Sequence, residues 1–402
     1  MKLGMVSCYF INNYGSILQA YALQEYFGIK GIECDTISVE GLKPYLDAKK
    51  KQYYLHNIGK AGLFLSKLPV IYLKALQKIN YRNLGQMYSE RVRKFDDFRK
   101  NFNISKESAT SLKQLTDLSA IYDMIVVGSD QLWRPDNIFP EYYTLSWVPD
   151  NIPKVSYATS FGVSEVDKCY KSKAKVFLNR MSAISVRESG GCRLVKELTG
   201  KNPYVVCDPV FLLTKNQWNM ISDTSCCPNK KYIFTYFLGG GKQCRKFTEE
   251  LSAATGLPIL GTVHNDAYTA SDEGIDYPIA SCSPKEFLGL VSNAEYICTD
   301  SFHATAFSTI FNKNFFAFNR SASKKHGTNS RIKSFLEMAG IENRLISDPR
   351  KVHEIDLNDI DYETVNGKIS SFINESYDFI EKEIIRGVSC NEQKKDFAPQ
   401  PD

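Results

Sequence analysis

Short apolar runs that end in a polar turn and lead into a helical stretch recur from one end of this chain to the other. The first run, Lys2–Val6, precedes a helical pattern over 15–27 with Leu18, Ala22 and Tyr26 on one face. Further runs fall at 34–39, 124–127, 155–158, 183–186 and 204–207; Gly128-Ser129-Asp130 ends the second of these and Asp208-Pro209 the last. A polar gap at 223–231 separates this series from a second one at 232–237, 258–260, 296–298 and 315–318. Strands alternating with helices imply parallel sheets flanked by helices. A chain of 402 residues is too long for one ordinary core. The expectation is therefore an α/β protein with two facing Rossmann-like domains, 1–222 and 230–350. A C-terminal helix at 360–388 is expected to return across both, followed by a loose tail at 390–402.

The composition, 43% hydrophobic and 24% charged, excludes a fibrous or largely disordered chain. Charge is uneven. Residues 43–100, read as a mostly helical basic insertion broken by Pro69, hold 14 Lys and Arg against 4 Asp and Glu, a net of +10. The whole chain is +5, which leaves −5 for the remainder. Lys60, Lys67, Lys74 and Lys78 interleave there with Leu63-Phe64-Leu65 and Val70-Ile71-Tyr72-Leu73. Such a segment is either a solvated helical hairpin packed on the core or a peripheral contact with an anionic membrane face. No apolar stretch is long enough to span a bilayer, and the N-terminus lacks a signal-peptide pattern. Cys8, Cys34, Cys207 and Cys298 lie in or beside apolar runs, no Cys or His spacing has the zinc pattern, and Cys226-Cys227 precedes Pro228 in the polar gap. A reduced, cytoplasmic protein without metal or cofactor is expected, with no nucleic-acid partner.

Ligands of open α/β sheets bind beyond the carboxyl ends of the strands, which singles out four groups of turns. Arg187-Glu188 follows a strand and opens a helix, a suitable anion site; a capped helix with Arg187 paired to a carboxylate is the equal alternative. Asp300-Ser301-Phe302-His303 repeats the arrangement with a histidine at the helix start, able to give a proton near neutral pH, unless Asp300 or Ser301 is simply the cap. Arg320, Lys324, Lys325, His326 and Arg331 form a basic stretch that could close over an anion. The turns bearing Asn13, Tyr14, Ser129, Asp130, Gln131 and Trp133 combine polar groups with aromatic platforms, which suits a sugar. Gly239-Gly240-Gly241 has neither the dinucleotide nor the P-loop spacing.

In order, Asn13-Tyr14-Gly15, Val127-Gly128-Ser129-Asp130-Gln131-x-Trp133, Tyr157-Ala158-x-Ser160-Phe161-Gly162, Ser185-Val186-Arg187-Glu188, Asp208-Pro209, Thr299-Asp300-Ser301-Phe302-His303-Ala304-Thr305 and Asn329-Ser330-Arg331-Ile332 resemble the polysaccharide pyruvyltransferases. The resemblance spans roughly 2–346 apart from the basic insertion. It implies an architecture like that of GT-B glycosyltransferases, phosphoenolpyruvate as donor, and as acceptor a sugar of a surface polysaccharide (exopolysaccharide or capsule) or its lipid-linked precursor. The product it implies is a pyruvate ketal, with the acceptor on the N-terminal domain and the donor on the C-terminal one. Donor contacts fall to Arg187, Ser301, His303, Arg320 and Arg331; His303, Asp130, Asp300 and Glu188 share the proton transfers. One position departs from the pattern: many relatives carry an arginine where this chain has Ser301, so Arg320 or Arg331 is expected to substitute. The alternatives are a glycosyltransferase using a nucleotide sugar and a non-catalytic, membrane-associated scaffold.

Overall fold

A computed structural model describes residues 1–57, 82–239, 241–263, 274–320, 328–346, 352, 355 and 357–387. Two six-stranded sheets, all of their strand pairs parallel, form the frame. The first contains β1 (Lys2–Val6), β2 (Glu33–Thr36), β3 (Met124–Asp130), β4 (Lys154–Thr159), β5 (Ala183–Val186) and β6 (Tyr204–Val205), in the order β2-β1-β3-β4-β5-β6. The second contains β7 (Ile233–Tyr236), β8 (Ile259–Thr262), β9 (Tyr277–Ile279), β10 (Tyr296–Thr299), β11 (Asn314–Phe318) and β12 (Leu345–Ile346), in the order β12-β11-β10-β7-β8-β9. The winding reverses between β1 and β3 and again between β7 and β10. Crevices open at such reversals, beyond the strand carboxyl ends. The α/β class and the paired parallel sheets expected from the sequence are therefore present.

Strand interiors follow the apolar runs because a parallel strand is covered on both faces; β3 and β4 are buried along nearly their whole length. Edges differ. The second run ends at Thr36, not 39, and of the run at 204–207 only Tyr204 and Val205 form the strand. The sequence reading missed β9, whose Tyr-Pro-Ile is mostly exposed and carries proline on an edge, and β12, only two residues long.

Helix α1 (Tyr14–Ile29) corrects a further expectation. It is not amphipathic: 13 of its 16 residues are buried, among them Ser16, Gln19 and Gln24. It is wedged between the first sheet and the second half of the chain, so it has no solvent face for most of its length. Its buried amides are bonded: Gln24 Nε2 donates to the Cys34 and Asn103 carbonyls at 3.0 and 2.9 Å, and Gln19 Oε1 accepts the Ser129 N–H at 2.9 Å.

The basic segment is described as α2 (Lys43–His56) and α3 (Arg82–Arg99); the apolar stretches at 63–65 and 70–73 and the lysines at 60, 67, 74 and 78 lie outside the described residues. Helix α3 crosses to the second half of the chain. Lys94 Nζ lies 2.7 Å from Glu286, and Arg91, only 3% exposed, donates to the Val263 carbonyl at 2.8 Å. The Arg91 guanidinium also lies 4.7 Å from the centre of the Tyr14 ring, which stacks on Phe287 at 4.4 Å.

Helix α13 (Tyr362–Phe379), extended by a π-helical turn to Ile385, runs from the second sheet to the first. Tyr362 Oη donates to the Lys313 carbonyl near its start; toward its end Ser376 Oγ accepts the Cys207 N–H at 2.8 Å and Tyr377 stacks on Tyr26. Buried residues of both sheets join one continuous apolar cluster, and a smaller one lies around Phe247, Cys298 and Phe316. No described helix is long and apolar enough to cross a membrane.

Because the Arg91 guanidinium satisfies a buried carbonyl between the halves, Arg91→Ala is expected to cost about 1–3 kcal/mol. The urea midpoint should fall with an unchanged slope, since the unfolding surface is the same.

Candidate active site at the junction of the two sheets

The strand ends of both sheets converge, and Arg187 is at the centre. It follows β5 directly, and its side chain is 2% exposed. Its Nη1 donates to Asp208 Oδ2 and its Nη2 to Asp130 Oδ1 at 3.2 Å. The guanidinium lies 4.7 Å from the centre of the Phe302 ring. Phe302 begins α11 (Phe302–Ile310), which follows β10, so a residue of the second half packs on the central cation of the first.

Asp130 ends β3 with φ of 81°, in a region costly for most side chains but tolerated by aspartate. This turn aims one carboxylate oxygen at Arg187 and the other at Ser16, whose hydroxyl donates at 3.0 Å. Burial opposes its ionisation, but Arg187, His303 and Arg331 outweigh burial and hold the carboxyl far below the usual range. Asp208 caps the short helical turn Pro209–Leu212 through the Val210 N–H. It is likewise held low: burial raises it, and His303 and Arg187 more than offset that.

His303 lies in the first turn of α11, 7% exposed, with Nε2 3.5 Å from Asp208 Oδ2. Its other side rests on α1. A Cβ added at Gly15 would fall 2.0 Å from His303 Nδ1, so the glycine is what admits the ring. Arg331, in α12 (Thr328–Ala339), is 6% exposed, 3.6 Å from Asp130 Oδ1 and 5.9 Å from the Phe302 ring centre. Burial and the neighbouring Arg187 push its guanidinium down to about 9, despite Asp130. Among the described residues, Asp130 is the one carboxylate within 4 Å of the Arg331 guanidinium.

Glu188 precedes α7 (Ser189–Thr199); its Oε1 accepts the Ser160 hydroxyl at 2.6 Å. Its Oε2 faces Arg187 Nε across 4.0 Å, and neither atom has a hydrogen-bond partner among the described residues. Arg331 Nε and His303 Nε2 are also buried without one. A cavity of about 230 Å³ opens here, lined by the polar side chains of Arg187, Glu188, Asp208 and Arg331 and by apolar ones that include Phe211, Phe335, Met338 and Phe372.

Several sequence-derived site residues occupy other places. Tyr14 and Trp133, expected as sugar platforms, are fully buried: Tyr14 Oη donates to the Cys282 carbonyl at 2.9 Å, and Trp133 Nε1 to the Tyr143 carbonyl at 3.2 Å. Both are packing residues with no exposed ring face. Ser129 is also fully buried, its hydroxyl bonded to the Ala158 carbonyl at 2.7 Å. Asp300, expected to share proton transfer, instead accepts the Leu238 and Gly239 N–H groups at 2.6 and 2.8 Å and holds the loop after β7. Ser301 caps α11, accepting the Ala304 N–H at 3.5 Å. Arg320 donates to the Asp300 carbonyl at 3.3 Å and is near enough to Arg331 to disfavour that residue's charge. Asn13 caps α1 and is partly exposed, and Gln131 follows Asp130 with its Nε2 buried. Lys324, Lys325 and His326 lie outside the described residues. Asp208 had been seen only as part of an Asp-Pro turn; its position beyond β6, beside the strand that delivers Arg187, was the available signal.

The architecture is thus that of a two-sheet α/β protein with a charged site where the strand ends meet. The sequence model of the polysaccharide pyruvyl transferase family matches residues 13–322, and the chain belongs to that family. It is accordingly a transferase whose family implies a saccharide acceptor. No curated protein sequence matches it. Among solved structures it is similar to UDP-N-acetylglucosamine 2-epimerase from Rickettsia bellii, at 11% identity and a TM-score of 0.47, covering 95% of this chain and 98% of that one. The UDP-GlcNAc 2-epimerase of Methanocaldococcus jannaschii gives 11% and 0.45, covering 93% of each chain. The glycosyltransferase SnogD of Streptomyces nogalater gives 10% and 0.41, covering 94% and 95%.

Two outcomes follow from this geometry. Gly15→Ala must displace the His303 ring; with His303 as the proton donor proposed below, misplacement by about 1 Å costs on the order of 10²-fold in turnover, so kcat should fall by that factor in a protein that still melts cooperatively. Asp208→Asn removes a carboxylate whose folded-state pKa lies below its ordinary value of 3.8. Such a group stabilises the fold above that pH, and its contribution is lost as pH falls through the folded value. Urea unfolding should show the variant weaker by up to about 3–5 kcal/mol at pH 7, with the gap to the parent closing progressively below about pH 4.

Proposed function

We propose that this protein transfers the pyruvyl unit of phosphoenolpyruvate to two hydroxyls of one sugar, closing a pyruvate ketal and releasing phosphate. The observation that carries the reading is that Arg187 and Arg331 line one small cavity, each with an Nε that is buried without a hydrogen bond among the described residues, and that His303 Nε2 lies 3.5 Å from Asp208, which lines it too. A ligand with a carboxylate and a phosphate suits two guanidiniums and an imidazole. At about 30 Å³ per water, the cavity matches seven or eight waters, a volume suited to a small dianion.

In this reaction the enol methylene takes a proton while a sugar hydroxyl adds to the neighbouring carbon. Phosphate then leaves, and the second hydroxyl closes the ring. Arg331 takes the phosphate, and Arg187, with the first N–H groups of α7, orients the carboxylate. His303 gives its proton to the departing phosphate. Asp130 is held too acidic to act as the proton donor, and both Asp300 oxygens are engaged by backbone N–H groups. Glu188, buried at the cavity with one oxygen uncommitted, is therefore assigned to the methylene. The acceptor approaches along the first sheet past Asn13 and Gln131. It belongs to a surface polysaccharide or its lipid-linked precursor, handled on the cytoplasmic side.

The test is thermal melting with phosphoenolpyruvate, then phosphate release on adding an acceptor. A ligand at about 100 times its Kd adds roughly 2.7 kcal/mol to the folded state. The parent should melt higher, Arg331→Ala should not respond, and His303→Ala should bind but turn over about 10²–10⁴-fold more slowly. Stabilisation by a nucleotide sugar with no response to phosphoenolpyruvate would overturn the assignment in favour of a glycosyltransferase.

A further inference from the structure

Two helices far apart in sequence adjoin on the first half of the chain and carry most of its positive charge. Helix α2 holds Lys43, Lys49, Lys50 and Lys51 against Asp47. Helix α6 (Lys168–Asn179) holds Lys168, Lys171, Lys173 and Lys175 and no carboxylate. Four lysines less one aspartate, plus four lysines, make +7, whereas the whole chain is +5. The helices meet through rings. Tyr53 lies 5.7 Å from Tyr170 between centres, and Phe139 lies 6.0 Å from Tyr53 and 6.2 Å from His56. The Lys173 ammonium stands 5.7 Å from the same Phe139 ring, so both helices border one aromatic seam.

Apolar side chains of each helix turn inward: Leu46 and Tyr53 of α2 and Tyr170, Ala174, Phe177 and Leu178 of α6 are buried. Lys43, Lys51, Lys168, Lys171 and Lys175 are exposed. The carboxylates beside them are Asp47, Glu165 and Asp167, also exposed, and Glu141, which is paired with Lys173. Among the described residues, Lys173 is the one lysine of α6 with a carboxylate within 4 Å. Leu55 and Val176, 65% and 62% exposed, stand on the same two helices. At 1.5 Å per residue the helices are about 21 and 18 Å long, so the charge covers a broad area rather than a line.

We propose that the α2–α6 face docks peripherally on a bilayer surface rich in anionic phospholipid. The lysine ammoniums meet the lipid phosphates, and their stems lie along the interface. Leu55 and Val176 leave water at the acyl boundary, a gain that a soluble polyanion would not offer. The position suits the cleft. Tyr54 of α2 donates to Asp136 at 3.2 Å, in the stretch that follows Gln131. The chain enters α6 from Gly162, where an added Cβ would fall 2.8 Å from the Gln131 amide. A lipid-linked acceptor would thus reach Gln131 from the bilayer, and that step alone rests on the function proposed above.

The experiment floats the full chain with vesicles of phosphatidylcholine, alone or in equal parts with phosphatidylglycerol. The chain should float with the mixed vesicles alone and be released by salt, because the Debye length falls from about 10 Å at 0.1 M to about 3 Å at 1 M. Lys168→Gln, Lys171→Gln and Lys175→Gln combined should weaken partitioning by about 10²-fold. Leu55→Ser with Val176→Ser should weaken it by about tenfold. The same glutamine changes at Lys231, Lys246 and Lys333, exposed lysines of the second half, should leave it unaltered. Flotation needs neither donor nor acceptor, so its outcome is separate from that of the assigned reaction. No flotation with the mixed vesicles, flotation that survives the α6 changes, or an equal loss in the control would overturn the proposal. Retention on dextran sulfate without flotation would overturn it in favour of a soluble polyanion.

Discussion

A guanidinium withdrawn from water at Arg187 sets the terms for the rest of the site. Burying such a charge is costly unless carboxylates and hydrogen bonds surround it. Here the compensation comes from the ends of β3 and β6 and from the Phe302 ring of the second half. None of these partners is near in sequence, so the ion cluster forms only when both sheets are complete and opposed. The left-handed turn at Asp130 belongs to the same requirement: it spends some backbone strain to aim one carboxylate at Arg187 and at Ser16 together.

The second determinant is how closely the halves approach. Helix α1 is buried almost all round, and its first turn meets the other half with Tyr14 against Phe287 and with Gly15 against His303. A side chain at position 15 would hold the imidazole away, so the catalytic geometry proposed for His303 rests on an absent Cβ. Arg91 and Lys94 of α3 fasten the same seam from outside the sheets. This part of the basic segment owes some of its charge to the junction. Its two cations satisfy a buried carbonyl and a carboxylate, which a purely solvated hairpin would not require.

What the sequence disclosed follows from what leaves a local imprint. Strands covered on both faces appear as unbroken apolar runs, and the frame of β1, β3, β4, β5, β7, β10 and β11 was legible for that reason. β9 and β12 were not: an exposed Tyr-Pro-Ile and a two-residue edge carry little pattern. In the cleft, the turns bearing Arg187, Asp130 and His303 were identifiable because a strand end followed by a helix start is a local feature. Exposure is not local. Tyr14 and Trp133 have the chemistry of sugar platforms, yet the folded chain spends them on packing. Asp208 was passed over for the opposite reason: its Asp-Pro turn reads as punctuation, and only sheet order places it beside Arg187 and His303.

The charges of the cleft also divide its labour in the proposed reaction. Arg187 already holds two carboxylates, so an incoming anion gains less from it than from a cation still short of partners. Arg331 is that cation: burial and Arg187 both disfavour its charge, and the nearest carboxylate, Asp130, lies 3.6 Å away and is shared with Arg187. A doubly charged phosphate arriving beside Arg331 relieves an existing cost, whereas one arriving at Arg187 competes with Asp208 and Asp130. The carboxylate of the donor, singly charged, is the better match for the remaining Nε of Arg187 across from Glu188. That arrangement orients the donor end to end between two arginines and leaves Glu188 beside the carbon that must be protonated.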